Sequence, residues 1–165
     1  MSLIVLGFGN VGQTLCKRAL ELDLKILGIA DSSSAILSLK DGFTKRQINE
    51  LCQFKQSRKL SSLQYENTIA ISELYTNKSI NLPNNTIIID CTASNNTTKF
   101  LTDIQTKNVP IILANKRPFT PLTQCYSDFT KLTKDYNLIR FESTVCAGIP
   151  TINPIQRFIN SNDNI

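Results

Sequence analysis

Apolar positions along this chain fall into two rhythms. Short apolar or β-branched runs recur at 3–6, 24–30, 86–91, 109–114 and 138–142, each the length of a buried strand. Between them lie stretches with helical spacing. The spacing predicts a helix over 11–24 with Val11, Leu15, Ala19 and Leu22 on one face, and another over 45–54 with Ile48, Leu51, Cys52 and Phe54 inward. A short helix is expected over 69–75, and further helices over 96–106, 122–136 and 152–160. Residues 32–42 read as a loop with a short element, 55–68 as polar and irregular, and 77–85 as a polar turn region containing Pro83. No internal repeat is present. Alternating β and α elements with strand-type runs imply an α/β domain, a doubly wound parallel sheet in three αβα layers.

The first run changes the picture most. Leu3-Ile4-Val5-Leu6 leads directly into Gly7-Phe8-Gly9-Asn10-Val11-Gly12, a G-x-G-x-x-G between a strand and a helix. This is how a Rossmann-like dinucleotide-binding unit begins. Gly7 would allow the tight turn, Gly9 the approach of a pyrophosphate, and Gly12 close helix–strand packing, while the helix N-terminus faces the phosphates. The second run ends at Ala30-Asp31, nineteen residues past Gly12. An acidic residue there bonds the adenosine ribose 2′-OH and favours NAD over NADP, because a carboxylate repels a 2′-phosphate. The plainer alternatives are a ligand-free glycine turn, and a turn or N-cap in Asp31-Ser32-Ser33-Ser34.

Composition narrows the chemistry. The 165 residues suffice for one domain with a sizeable core. With no histidine, an intrachain Ser-His-Asp or Cys-His arrangement and most zinc sites are excluded, and acid–base work falls to Lys, Asp, Glu, Tyr or a cofactor. Cysteines at 16, 52, 91, 125 and 146 contain no C-x-x-C and read as reduced thiols. The net charge of +5 is spread over small groups at 17–18, 45–46, 58–59 and 116–117 without interleaved aromatics. A solvated surface that attracts an anionic cofactor accounts for it better than nucleic acid. No apolar run reaches membrane-span length, and no signal peptide is visible, so the expected home is the cytoplasm without membrane association.

Three later motifs make the reading specific: Asp90-Cys91-Thr92-Ala93-Ser94-Asn95, Ala114-Asn115-Lys116-Arg117-Pro118, and Glu142-Ser143-Thr144-Val145-Cys146-Ala147-Gly148-Ile149-Pro150. With the glycine fingerprint, and with Asp-Ser-Ser at 31–33 and Lys-Asp-Gly at 40–42, they resemble the homoserine dehydrogenases in order and spacing. The resemblance covers essentially the whole chain. It implies oxidation of L-homoserine to aspartate 4-semialdehyde, or the reverse, with NAD or NADP, in threonine and methionine biosynthesis. Residues 1–150 would form the NAD(P)-binding domain and 151–165 a hinge helix at the start of a substrate domain. Gly7, Phe8, Gly9, Asn10, Val11 and Gly12 would hold the pyrophosphate. Ala30 and Asp31 would meet the adenosine end, and Cys91, Thr92, Ala93 and Ser94 the nicotinamide side, although Thr92 and Ser94 could also cap the following helix. Lys116 matches the active-site lysine, beside cofactor and substrate, where its charge would polarise the substrate oxygen; a surface lysine beside Arg117 is the alternative.

The resemblance also implies a monovalent cation held by the main-chain carbonyls of Glu142, Val145, Ala147 and Ile149. An ordinary turn is the plain alternative for 148–150. In the family a substrate domain follows at about this point, with the homoserine-binding acids, a second catalytic lysine and the dimerisation sheet. The expectation for these 165 residues alone is therefore cofactor binding with little turnover; a small amino-acid substrate and a homodimer would require that domain. A non-catalytic NAD(H)-sensing Rossmann module is the alternative reading, and it needs neither Lys116 nor the 142–150 turn.

Overall fold

The computed structural model describes residues 1–63, 65–76, 81–105, 107–120 and 138–161. The helix expected over 122–136, residue 106 of another, and part of the 77–85 turn lie outside them. The described elements are β1 (Ser2–Leu6), α1 (Asn10–Glu21), β2 (Lys25–Ala30), β3 (Ser34–Leu37), α2 (Lys45–Lys55), β4 (Thr68–Ala70), α3 (Ile71–Thr76), β5 (Thr86–Asp90), α4 (Thr97–Gln105), β6 (Ile111–Leu113), β7 (Ile139–Arg140) and α5 (Ile152–Asn160). Short 3₁₀ turns occupy Leu60–Ser62, Arg117–Phe119, Glu142–Thr144 and Cys146–Gly148.

The strands form one sheet in the order β4-β3-β2-β1-β5-β6-β7. Alternation along β1 divides its side chains between two cores. Leu3 and Val5 pack with Cys16 and Ala19 of α1 and Ile48, Leu51 and Cys52 of α2. Ile4 and Leu6 pack with Leu74 of α3 and Phe100, Leu101 and Ile104 of α4. A sheet apolar on both faces with helices on each is the expected αβα arrangement. In β2 the rhythm slips: Ile26 and Ile29 share one face, with Leu27 and Ala30 on the other. The cause is a register irregularity in which Leu3 faces Ile26 but Ile4 faces Gly28.

Strands β1, β2, β5, β6 and β7 are parallel, but β3 runs antiparallel to β2 and β4 antiparallel to β3. The doubly wound parallel sheet expected from the sequence is present in β1, β2, β5, β6 and β7, and an antiparallel pair, β3 and β4, is added at one edge. Only Asp31, Ser32 and Ser33 separate β2 from β3, far short of the dozen or so residues a parallel crossover requires. The segment expected to be a loop with a short element thus supplies β3, the second strand from this edge, and 69–75 begins as the edge strand β4 before turning helical.

Helix α1 is also rotated from its expected face. Its buried positions are Gly12, Cys16 and Ala19, while Val11 and Leu22 are 60% and 72% exposed. The close approach at Gly12 decides this, because the helix contacts the β1 turn through a glycine rather than through Val11. Helix α2 begins with a reciprocal capping box between Thr44 and Gln47. Strand β7 is shorter than expected, since Glu142–Thr144 already winds into a 3₁₀ turn. Helix α5 matches its expected range, 152–160, and buries none of its residues.

Candidate functional site: a cleft at the strand ends

Strands β1, β2 and β5 end on the same edge of the sheet, and a cleft of about 450 Å³ opens there. Its walls come from Gly7, Phe8 and Gly9 after β1, Asp31 and Ser32 after β2, and Cys91–Ser94 after β5. The order in which strands are added reverses between β1 and β5, the position where ligands collect in doubly wound folds.

The glycine loop is built by sterics. Gly7 has φ +91, and a Cβ there would stand 2.7 Å from the Cys91 carbonyl carbon. A Cβ on Gly12 would lie 2.1 Å from the Gly7 carbonyl oxygen. Both distances are impossible for real atoms, so these glycines hold α1 against the loop. Gly9 differs: nothing stands within 4 Å of its Cβ position. The protein leaves space there, beside the N-terminus of α1, where unpaired N–H groups suit an anion. Gly7 and Phe8 both donate their N–H to the Ala30 carbonyl at 2.8 Å, which ties the loop to the end of β2.

Asp31 is heavily engaged. Its Oδ1 accepts the Ser33 N–H (2.7 Å), the Ser33 hydroxyl (2.6 Å) and the Ser34 N–H (3.1 Å). Its Oδ2 accepts the Leu60 N–H at 2.9 Å and pairs with Lys55 Nζ at 3.0 Å. Burial alone would raise this carboxyl, but the bonds from Leu60, Ser33 and Lys55 prevail and hold it well below the usual carboxylate range. Lys55 also lines the cleft, so a positive charge stands at the end expected to receive the adenosine ribose.

The opposite wall rests on Asp90, which is 0% exposed. Its Oδ1 accepts the Thr92 N–H at 2.8 Å, and its Oδ2 accepts from the Thr97 hydroxyl (2.8 Å) and the Asn115 amide (3.1 Å). Tyr75 and Cys91 line the same cleft. Burial, then the Asp90 charge, pushes each of them up to about 12. Both are therefore neutral near pH 7, and the Cys91 thiol is not poised as a nucleophile.

Of the residues singled out from the sequence, Gly7, Phe8, Gly9, Asp31, Cys91, Thr92, Ala93 and Ser94 come together on the cleft. Asn10 and Val11 are exposed on the first turn of α1, Gly12 is buried behind the loop, and Ala30 is buried beneath it. Lys116 is exposed, immediately before the 3₁₀ turn at Arg117–Phe119, and is not part of the cleft wall. Glu142, Val145, Ala147 and Ile149 follow β7, also away from the cleft. The Glu142 side chain itself accepts the N–H groups of Thr151, Ile152 and Asn153, capping α5. Cys146 and Ala147 both take left-handed backbone angles, φ 56 and 48, which is unusual for non-glycine residues. No cluster of three metal-ligating side chains occurs among the described residues.

Sequence reasoning missed Lys55, Tyr75, Ile71 and Asn96 on the cleft. Lys55 carried one usable signal, as the last residue of a well-capped helix behind β2. It also missed the Asp90–Asn115 contact, although both residues stood inside motifs read for their neighbours.

Comparison with known proteins agrees with this geometry. The Glutamate/Leucine/Phenylalanine/Valine dehydrogenase family model matches residues 1–117. A bifunctional aspartokinase/homoserine dehydrogenase from Buchnera aphidicola is 24% identical over 99% of this chain and 20% of its own length. A hyperthermophilic archaeal homoserine dehydrogenase in complex with NADPH is 25% identical, with TM-score 0.65, covering 92% of this chain and 46% of that one. A mutant form, also in complex with NADPH, superposes with TM-score 0.72 at 23% identity, over 96% of this chain and 49% of that one. The chain thus spans about a fifth of the curated relative and about half of the solved structures. The family match ends at residue 117, whereas the Buchnera relative aligns with 99% of this chain. The likeness to homoserine dehydrogenases drawn from the motifs is borne out, and the chain belongs to the Glutamate/Leucine/Phenylalanine/Valine dehydrogenase family.

Proposed function

We propose that this chain is the nucleotide-binding part of a homoserine dehydrogenase, interconverting L-homoserine and L-aspartate 4-semialdehyde with NAD(P). The observation that carries the reading is the space at Gly9, flanked by the turns after β1, β2 and β5. Residues 7–12 hold the pyrophosphate. Ala30, Asp31, Ser32 and Lys55 receive the adenosine ribose, and Cys91–Ser94 the nicotinamide side. When bound, the nicotinamide supplies hydride transfer. Lys116 offers its positive charge where alkoxide character develops on the substrate oxygen. The carbonyls of Glu142, Val145, Ala147 and Ile149 serve a monovalent cation, which the left-handed pair Cys146–Ala147 would help to shape.

Residues 1–150 act as the cofactor domain and 151–165 as the hinge into a substrate domain, through which the homodimer forms. The protein works in the cytoplasm; the thiols of Cys16, Cys52, Cys91 and Cys146 are free, in keeping with a reducing compartment. No helix among the described residues is long and apolar enough to cross a membrane.

The preference for NAD rested on a free Asp31 carboxylate. With that carboxylate bonded to its own loop and paired with Lys55, its repulsion of a 2′-phosphate is weakened, and we infer that both NADH and NADPH bind. Calorimetric titration of the folded chain with each is the test. Binding of either supports the reading, and binding of neither overturns it. A second reading, an NAD(H)-sensing module without catalysis, is favoured by the exposed position of Lys116 outside the cleft. Lys116→Ala in the complete enzyme separates the two: lost turnover with retained cofactor binding supports the dehydrogenase.

A further inference from the structure

Asp90 poses a physical question. A carboxylate with no exposed surface is costly to bury unless paired, and among the described residues no Lys or Arg forms an ion pair with it. Neutral donors satisfy it instead, and they come from both sides of the gap between the β5 and β6 turns. The Asn115 amide nitrogen lies 3.1 Å from Asp90 Oδ2, 3.1 Å from Thr92 Oγ1 and 2.8 Å from the Ser94 carbonyl. On its other side, Asn115 Oδ1 accepts the Arg117 N–H at 3.1 Å. The Ala114 and Asn115 N–H groups bond the Asp90 carbonyl at 2.9 and 3.1 Å. One amide therefore joins the cleft wall at Thr92–Ser94 to the chain on both sides of Lys116.

We propose that Asn115, anchored on Asp90, is a positioning residue for the nicotinamide half of the cofactor site. It holds the Thr92–Ser94 wall and the Lys116 backbone in one fixed relation. The proposal rests on the dinucleotide reading above and deepens it. Its direction follows from the sheet order. The β2 end takes the adenosine ribose and the α1 N-terminus the pyrophosphate, so the remainder of the ligand extends over β5 and β6, where Asn115 acts. Residues 7–12 and 31–32, assigned to the adenosine half and the pyrophosphate, are not among the hydrogen-bond partners of Asn115. A residue that merely supports the fold would weaken both halves together.

The test compares NADH with ADP-ribose, which lacks the nicotinamide, on the full chain and on Asn115→Leu. The expected result is at least a tenfold loss of NADH affinity with ADP-ribose unchanged within twofold. Asn115→Ser, which keeps a donor in a smaller side chain, should show the same pattern more weakly and decides the matter if the Leu variant does not fold. Equal losses for both ligands, or no loss in a folded variant, overturn the positioning role while leaving the dinucleotide reading intact. Failure of the unaltered chain to bind either ligand overturns both.

Discussion

The two walls of the cleft are held by opposite means. The β1–α1 wall is defined by atoms that must not be there: no Cβ fits at Gly7 or Gly12. The β5–β6 wall is defined by polar atoms that must be there, a buried carboxylate and the amide and hydroxyls that surround it. Steric definition is rigid and local, carried by residues five apart in sequence. Polar definition spans residues 90–117, and it can be weakened one bond at a time. The first wall tolerates no side chain at either glycine, whereas the second depends on several bonds at once.

The comparison breaks most severely at Gly12. Gly12→Ala places a methyl 2.1 Å from a backbone oxygen that cannot swing away, and overpacking of this kind should cost about 3 kcal/mol or more in denaturant unfolding. A loss below about 1 kcal/mol would show that α1 slides freely. Gly9→Ala is the matched contrast. Its methyl meets no protein atom, so the unfolding midpoint should barely move, while cofactor affinity should fall at least tenfold, or about 1.4 kcal/mol. A smaller effect is expected for the Asp31–Lys55 pair. Lys55→Met should cost on the order of 1 kcal/mol at neutral pH, because Lys55 is 20% exposed at its side chain. Asp31 has a depressed carboxyl when folded, so its stabilisation is present above the unfolded value of about 3.9 and is lost as pH falls below it. Acid unfolding of Lys55→Met should show a shallower decline over that range than the parent chain.

The β1–α1 wall was legible from the sequence because glycines mark it at fixed spacing, and so was a sheet covered on both faces, because β1 is a continuous apolar run. The antiparallel β3–β4 edge was not, since Ser34–Leu37 is too short and mixed to declare a strand until the three-residue link from β2 is seen. The facing of α1 escaped for a related reason: Val11 looked like an inward residue, but Gly12 packs more closely. Asp31 was legible as a cleft residue but not as the hub of its own loop, because its partners include Leu60 and Lys55, 29 and 24 residues away. The Glu142 cap on α5 reaches across nine to eleven residues, a span that no local capping pattern describes. Asn115 stood in plain view beside Lys116, yet its role depends on which strands are neighbours, and that is a property of topology.

The sheet also has a consequence for how this protein meets others of its kind. Among the described residues, its outermost strands are Thr68–Ala70 and Ile139–Arg140, three and two residues long. Short margins are a recurrent guard against unwanted strand addition. Against so few rungs, a neighbouring chain gains little by extending the sheet. This domain should therefore resist strand addition at the margins of its own sheet, and once folded it should be a poor template for fibrils.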